Sequence, residues 1–399
     1  MKVKTERRAL SVMKFALPAL LIITAILSSG CTLLKTGDVP EDEIRIGVLL
    51  PLNGNLKEYG IGFKDGIDMA VADINSQGGI RGVPVTAVYV DTISSPDITR
   101  FGFKKLSDAG ISVIIGEASS TNTLEIAPLA EEKGIVLVSP GSSAPGLSAY
   151  KNYVFRTISS DTYQGRGIAK VLVSLYPGAE NVSVVYMDND YGSALAEAFT
   201  GAYQDNGGQI IQEIKFAEGK EGDYSDIGLE LKNGNPDAVV LISYQEEAAM
   251  VMNAANLQGM DDTIWIGSEA LIDDDLILRT GDYSEYMVAT MQANHIISEP
   301  FAERYMEQYN KTVVDWPVPY GYDTMMIIAQ VIDAKGYDPD DISEGLKEIR
   351  YLGVCGAKSF DENGDIYPSY DVLQVQNGEW VQIRWNEILY GSAEYGGHH

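Results

Sequence analysis

Short apolar runs and longer amphipathic segments alternate along the chain. β-branched runs such as Ile44–Leu50 and Val113–Gly116 predict strands buried on both faces of a parallel sheet. Between them, apolar residues fall at helical spacing, first over about Tyr59 to Asn75. Gly62 and Gly66 lie on that helix, and their small size predicts that it packs closely on the sheet. The first third of the chain is therefore expected to form a βαβα unit.

The alternation restarts after residue 157 and predicts a second unit of similar length. Further strands are expected at Val182–Met187, Ile210–Phe216, Ala238–Ser243, Ile264–Gly267 and Met287–Gln292. Helical segments are expected between the first four of these strands and again after the last one. Near the C-terminus, Asn377-Gly378 joins two short apolar runs and predicts a β-hairpin. The pattern as a whole predicts an α/β protein with two doubly wound sheets.

Two turns in the first unit carry small hydroxyl residues at strand ends. Ser119-Ser120-Thr121 follows the strand Val113–Gly116 and supplies N-cap side chains for the next helix. Pro140-Gly141-Ser142-Ser143 follows the strand Ile135–Val138. Because ligands bind at the carboxyl ends of parallel strands, and helix N-termini attract anions, these turns predict a carboxylate or phosphate site. The alternative is that the hydroxyls only cap helices and turns.

The N-terminus has the pattern of a targeting segment. Five basic residues precede the apolar run Phe15–Leu27, which is too short to span a bilayer comfortably. Leu27-Ser28-Ser29-Gly30-Cys31 then resembles a lipobox, with Ser28 at a position usually held by Leu. We expect a signal peptide over residues 1–30 and a lipid on Cys31; the alternative is an uncleaved anchor helix. Either reading places the chain outside the cytoplasmic membrane, and with Cys31 modified, Cys355 has no disulfide partner.

Charge and composition exclude several functions. A net charge of −28 disfavours nucleic acid and anionic membrane surfaces as partners. Only three histidines occur, His295, His398 and His399. The sequence therefore offers few candidates for the catalytic histidine of a Ser-His-Asp hydrolase. Neither a zinc-binding Cys/His spacing nor a phosphate-binding P-loop is present. The acidic stretches 273–275 and 361–365 predict surface turns. We therefore expect a binding protein rather than an enzyme, with no metal and no cofactor.

Several motifs resemble the branched-chain amino-acid-binding proteins of ABC importers, which have the type I periplasmic binding fold. The resemblance runs from about Ile44 to Trp385 and is carried by Ala70–Gly82 (AVADINSQGGIRG), the two serine turns and Asp190-Tyr191-Gly192. It implies two Rossmann-like lobes joined by a three-segment hinge. Lobe one would comprise residues 43–156 and 295–366, and lobe two residues 157–293 and 367–390. A tether over 31–42 and a tail over 391–399 complete this organisation.

The resemblance also implies a ligand site between the lobes. The α-carboxylate of an amino acid would be held by Ser120, Gly141 and Ser143 of lobe one. Its ammonium group would be held by Glu269 and Tyr244 of lobe two. Tyr191 would close over the ligand and Tyr59 would lie beside its side chain, in a pocket for which Ala118, Trp316 and Tyr320 are further candidates. Bacterial relatives often carry a disulfide beside the first serine turn, and its absence here predicts a looser turn.

Three functions remain open on the sequence. The first is a lipid-anchored receptor that delivers an amino acid, branched-chain or otherwise aliphatic, to an ABC permease and its ATPase subunits. The second is a receptor for amides, urea or aromatic carboxylates on the same fold, which Glu269 with Tyr244 disfavours because those ligands lack an ammonium group. The third is an extracellular sensory module that reports the ligand to a signalling partner.

Overall fold

The computed structural model describes residues 37–220, 222–292, 298–366 and 370–383. The predicted signal peptide, Cys31 and the tail over 391–399 lie outside these residues, so the expectations about them stay predictions. In the part of the chain that the structure describes, no helix combines the length and the apolar character needed to cross a membrane.

A parallel sheet of five strands forms from the first 120 described residues, in the order β2-β1-β3-β4-β5. Its strands are β1 Ile44–Leu50, β2 Val85–Asp91, β3 Val113–Gly116, β4 Val136–Ser139 and β5 Val154–Arg156. The central strands β3 and β4 are buried along their whole length, as their apolar sequences predict. Because β3 and β4 are parallel neighbours, the two serine turns that follow them lie side by side at one edge of the sheet.

A larger sheet has the order β14-β13-β10-β9-β8-β6-β7 within the described residues. Its strands are β6 Asn181–Met187, β7 Gln209–Phe216, β8 Ala238–Ile242, β9 Ile264–Gly267, β10 Val288–Gln292, β13 Tyr370–Gln376 and β14 Glu379–Ile383. The strands from β6 to β10 are parallel, whereas β13 and β14 add an antiparallel hairpin at one edge. Asn377 and Gly378 both have positive φ, as a two-residue hairpin turn requires, so this predicted hairpin is confirmed.

Helices cover both sheets, which confirms the predicted α/β alternation. They are α1 Lys57–Ser76, α2 Pro96–Asp108, α3 Ser120–Lys133, α4 Asp161–Leu175, α5 Asp190–Asp205, α6 Ser225–Gly234, α7 Gln245–Leu257, α8 Asp274–Thr280, α9 Glu299–Tyr309, α10 Pro317–Lys335 and α11 Pro339–Glu348. The sequence missed α8, because its acidic start looked like a surface turn. In the structure, the Asp273 side chain accepts a hydrogen bond from the Asp275 backbone N–H and caps this helix.

Helices α9 to α11 pack on the first sheet although they follow strands β6 to β10 of the second sheet in sequence. Phe301, Val318 and Ile342 share one buried core with β1 and β3. The chain leaves the first sheet at Arg156 and enters α4, beside the second sheet, at Asp161. The resemblance also implies crossovers near Met291–Asn294 and Ile366–Ser369, and both extend beyond the described residues, so the lobe boundaries remain a proposal.

Glycines let α1 and α10 approach each other closely. A Cβ atom at Gly66 would lie 1.9 Å from the Val318 carbonyl oxygen, and one at Gly321 would lie 2.3 Å from the Phe63 carbonyl oxygen. The prediction that the α1 glycines pack against the sheet is therefore wrong at Gly66, because its close neighbour is the backbone of α10.

We expect Gly66→Ala to lower the free energy of unfolding by about 3 kcal/mol, because the added methyl group forces two buried backbones apart. Gly201→Ala is the matched control, since Gly201 lies on α5 with no atom near the Cβ position. There, alanine should stabilise the protein by about 0.5–1 kcal/mol through helix propensity. Urea unfolding monitored by circular dichroism measures both changes. Equal stability of the two variants would contradict the role of the helix contact.

Candidate functional site

The first wall of the candidate site is formed by the turns after β3 and β4. The Ser119 side chain caps α3 by accepting a hydrogen bond from the Asn122 backbone N–H, at 3.3 Å. The N–H groups of Ser120 and Thr121, in the first turn of α3, have no acceptor within the helix because of its geometry. This helix terminus therefore offers donors and a positive dipole end to an anion.

Ser120, Gly141 and Ser143, predicted as the carboxylate-binding residues, line one cavity in the structure. The Ser120 hydroxyl accepts a hydrogen bond from the Ala144 N–H at 3.2 Å, which joins the two turns. Gly141 is needed for space, since a Cβ atom there would lie 2.9 Å from the Ala118 carbonyl oxygen. The structure thus brings the three residues together, on the edge of the sheet where anion binding was expected.

The opposite wall comes from the second sheet and contains Tyr191, Tyr244 and Glu269. Tyr191 lies in the first turn of α5, and its ring stacks on that of Tyr244 with centroids 5.7 Å apart. The Tyr191 hydroxyl is 2.5 Å from the Ser268 hydroxyl, just after β9. Glu269 follows in a short 3₁₀ turn over Glu269–Leu271. The segments that follow three neighbouring strands, β6, β8 and β9, therefore present two phenol rings and one carboxylate.

Glu269 is a buried acid held by an amide. Its carboxylate accepts a hydrogen bond from the Gln164 side chain of α4, which also reaches the Thr290 hydroxyl at 3.2 Å. Burial raises the pKa of Glu269 to about 6, and the hydrogen bond from Gln164 opposes this shift. Glu269 is therefore ionised at neutral pH, and a cationic group in the cavity would stabilise it.

Aromatic side chains line the cavity between the wall from the first sheet and the wall from the second sheet. The Tyr59 ring lies 5.6 Å from the Trp316 ring and 5.9 Å from the Tyr244 ring. The Tyr59 hydroxyl donates a hydrogen bond to the Ala270 carbonyl oxygen at 3.1 Å, which directly links α1 to the segment after β9. Tyr320 packs edge-on behind Trp316, with centroids 5.7 Å apart.

One cavity lies between the two sheets and is lined by residues that follow strands of both. Its lining consists of the seven predicted residues together with others: Leu56, Tyr59, Phe63, Ala118, Ser120, Gly141, Ser143, Tyr191, Tyr244, Glu269, Ala270 and Trp316. Of the further candidates for the side-chain pocket, Ala118 and Trp316 belong to this lining and Tyr320 does not.

Sequence reasoning missed a second buried acid next to the cavity. Asp161 begins α4, and its backbone N–H donates to the Ser143 carbonyl oxygen at 2.9 Å. Neither of its carboxylate oxygens meets a donor in hydrogen-bonding geometry. Burial and the nearby Glu269 charge raise the pKa of Asp161 well above its usual range, although Ser143 and Arg156 oppose the shift. In sequence, Asp161 looks like an ordinary acidic residue in the first turn of a helix.

Gln164, the partner of Glu269, was missed for a related reason. It lies 105 residues from Glu269 in sequence, and nothing in its local pattern distinguishes it from a surface glutamine. Among the described residues, no group of His, Cys, Asp or Glu side chains is arranged to hold a metal ion.

The fold and the cavity together define a class of protein. Hydrogen-bond donors at the edge of the first sheet face the buried Glu269 carboxylate at the edge of the second sheet. Aromatic side chains line the cavity between these two groups. This arrangement is complementary to a small molecule that has an anionic and a cationic end, and it is typical of a two-lobed ligand-binding protein. The model of the periplasmic binding protein family matches residues 43–379, so the chain belongs to this family. The predicted family and fold class are thereby confirmed; the family is one of solute-binding proteins.

Individual relatives cover nearly the same length. The Leu/Ile/Val/Thr-binding protein of Salmonella typhimurium is 27% identical over 346 residues, which span 85% of this chain and 93% of the relative. The leucine-binding protein LivK of Thermotoga maritima has a solved structure with a TM-score of 0.78 and 27% identity, covering 85% of this chain and 97% of that one. The branched-chain amino-acid-binding protein LivJ of Streptococcus pneumoniae, solved with isoleucine, has a TM-score of 0.76 at 24% identity, covering 86% and 100%.

Proposed function

We propose that this protein is the extracytoplasmic solute-binding component of an ABC importer. It binds an amino acid with a branched or otherwise aliphatic side chain between two lobes and delivers it to a permease driven by ATPase subunits. Cys31 carries the lipid that anchors it at the outer face of the cytoplasmic membrane. The protein has no catalytic role, and residues 43–156 with 295–366 and residues 157–293 with 367–390 form the two lobes.

The observation that carries this proposal is the pairing of two opposite ends in one cavity. Ser120, Gly141 and Ser143 supply hydroxyl and N–H donors for the α-carboxylate, while Glu269 offers a buried negative charge to the ammonium group. A charge-assisted hydrogen bond contributes about 1.5–3 kcal/mol, so several at the two ends, with apolar burial, support micromolar binding. Only a zwitterion engages both ends, which disfavours amides, urea and aromatic carboxylates.

We assign the remaining aromatic lining residues to contacts with the same amino-acid ligand. Tyr244 assists Glu269 at the ammonium end, and its ring stacks on Tyr191, which covers the ligand. Tyr59 and Trp316 flank the side chain. The names of the relatives from Salmonella typhimurium and Thermotoga maritima, which bind leucine and similar amino acids, support an aliphatic ligand.

A thermal-shift screen of residues 32–399 tests the proposal. The panel contains the amino acids, simple amides, urea and benzoate-like acids. A ligand at 100 times its Kd should add about 2.7 kcal/mol of apparent stability. We expect stabilisation by zwitterionic aliphatic amino acids alone. Stabilisation by amides or aromatic acids, with none by amino acids, would refute the assignment of Glu269 to the ammonium group.

A further inference from the structure

Glu117 lies directly after β3 and is fully buried, although it does not line the cavity. One carboxylate oxygen accepts a hydrogen bond from the Thr92 hydroxyl at 2.6 Å, and the other accepts from the Ser119 backbone N–H at 2.7 Å. Thr92 follows the edge strand β2, and Ser119 caps α3. One carboxylate therefore ties the end of β2 to the N-terminus of the helix that presents Ser120.

The backbone carbonyl of Glu117 organises the second serine turn. Its oxygen accepts hydrogen bonds from the hydroxyls of Ser139 at 2.6 Å and Ser142 at 3.0 Å. The Ser139 hydroxyl in turn accepts from the N–H groups of Gly141 at 3.3 Å and Ser142 at 2.9 Å. Both turns that form the carboxylate end of the cavity are thus positioned by one residue.

The predicted looser turn was based on the missing disulfide beside Ser119. In the structure, this turn is held by the Glu117 carboxylate, which accepts hydrogen bonds from both Thr92 and Ser119. Such a connection differs from a covalent bond in one respect, because its strength and its charge depend on the protonation of the carboxyl group.

The carboxylate of Glu117 is held by neutral donors. Burial raises the pKa of Glu117 to about 7, while hydrogen bonds from Thr92 and the Ser119 N–H, assisted by Asn122 and the Ala118 N–H, oppose the shift. The hydroxyls of Thr123, Ser139 and Ser142 face its backbone from α3 and the β4 turn. Tyr244, the N-cap residue of α7, is a further titratable group; burial raises its pKa, and the charges of Glu218 and Glu117 add to this shift.

We propose that Glu117 is a positioning residue for the carboxylate end of the site, and that its protonated form supports ligand binding better than its ionised form. This inference rests on the proposed function. A ligand carboxylate at Ser120 would lie one residue from the Ser119 N–H that donates to the buried Glu117 carboxylate, so two like charges would share the N-terminus of α3. Bound ligand then disfavours the ionised carboxyl group, and binding near neutral pH takes up a proton.

The dependence on pH has two limbs with separate causes. Below about pH 6, protonation of Glu269 removes the partner of the ligand ammonium group and weakens binding. Above about pH 7, ionisation of Glu117 weakens binding at the carboxylate end. Substitution of Glu117 should therefore change the alkaline limb and leave the acid limb in place.

The test measures the Kd of L-leucine between pH 5.5 and 8.5, using the full-length protein in mild detergent. We expect the wild-type Kd to rise up to about tenfold from pH 6.5 to 8.5, which corresponds to about one unit of pKa change on binding. In Glu117→Gln, the amide keeps the shape of the side chain without its charge, so the Kd should stay flat across this range. At pH 8.5 the variant should bind leucine more tightly than the wild type, a gain that misfolding cannot produce.

Calorimetry at pH 7.2 in phosphate and in imidazole adds an independent measurement. Binding to the wild type should take up about half a proton, and binding to Glu117→Gln close to none. Glu132→Gln is the matched control, because Glu132 is an exposed acid on the same helix α3 and its removal changes the net charge equally. It should behave as the wild type in both measurements.

Three outcomes are distinguishable. In the first, the wild-type Kd stays constant between pH 6.5 and 8.5, or Glu117→Gln shows the same rise in Kd as the wild type. Either result overturns the role of Glu117 and leaves the proposed function intact. An equal weakening of Glu117→Gln at every pH shows a purely structural role and also overturns the inference. If neither leucine nor any other amino acid in the thermal-shift panel binds, the proposed function fails and the inference fails with it.

Discussion

Replacing Glu269 with Ala is expected to raise the Kd for leucine by about two to three orders of magnitude. The substitution leaves the ligand ammonium group without its charged partner in a buried cavity, and removing one member of a buried ion pair costs about 3–5 kcal/mol. Gln164 would then face an empty space where it now donates to Glu269. Isothermal titration of the purified variant measures this loss directly.

Replacing Glu269 with Gln should, in contrast, stabilise the protein when no ligand is bound. The pKa of Glu269 is raised from 4.5 to about 6 on folding, so its ionisation lowers the stability of the folded state as pH rises through this range. Above pH 6 that cost is about 2 kcal/mol. Glu269→Gln should therefore unfold at a higher temperature than the wild type at pH 7.5 without ligand, and at the same temperature near pH 4. Leucine affinity close to that of the wild type in either variant would refute the site assignment.

Replacing Asp365 with Ala is expected to lower the free energy of unfolding by about 3–5 kcal/mol, since it leaves a buried guanidinium unpaired. Asp365 accepts a hydrogen bond from Arg156 at 2.6 Å, and both side chains are buried. Arg156 also donates to the carbonyl oxygens of Ser143 and Ala144, at 2.7 and 2.8 Å. The loss should therefore weaken leucine binding as well, because these carbonyls belong to the second serine turn.

An exposed ion pair supplies the control for this prediction. Lys104 and Asp108 form a pair on α2 in which both side chains are more than half exposed. Asp108→Ala should change the stability by less than about 1 kcal/mol. Guanidinium unfolding at pH 7 compares the two variants. Similar unfolding midpoints for Asp365→Ala and Asp108→Ala would show that the buried Arg156–Asp365 pair adds no more stability than the exposed pair.

Features set by local chemistry were predictable from the sequence. The runs Val113–Ile115 of β3 and Val136–Val138 of β4 are apolar at every position, and their partners on both faces are helices, as such runs predict. Ser119 caps α3, and Gly134 ends it in the left-handed conformation. The motifs that resemble the family then allowed seven site residues to be named, and one cavity contains them all.

Features set by distant partners were not predictable. The hairpin of β11 Tyr351–Gly353 and β12 Gly356–Lys358 has little apolar pattern, and the Asp323 carboxylate on α10 holds it by accepting from the Val354 and Cys355 N–H groups. Asp365 lies in a turn that was expected at the surface, yet it is buried by its contact with Arg156, 209 residues away. A sequence window cannot contain both members of such pairs.

The hydrogen bond from Tyr59 to the Ala270 carbonyl oxygen has a consequence for the empty carrier. It joins the two proposed lobes through protein atoms alone, with aromatic contacts from Tyr244 and Trp316 around it. A net contribution of about 1 kcal/mol from one such bond shifts a two-state equilibrium roughly fivefold. This bond would therefore favour the closed arrangement of the two proposed lobes about fivefold even without a ligand. A permease that recognised only the closed shape would then also bind carriers without cargo, and removing the Tyr59 hydroxyl would lower their share.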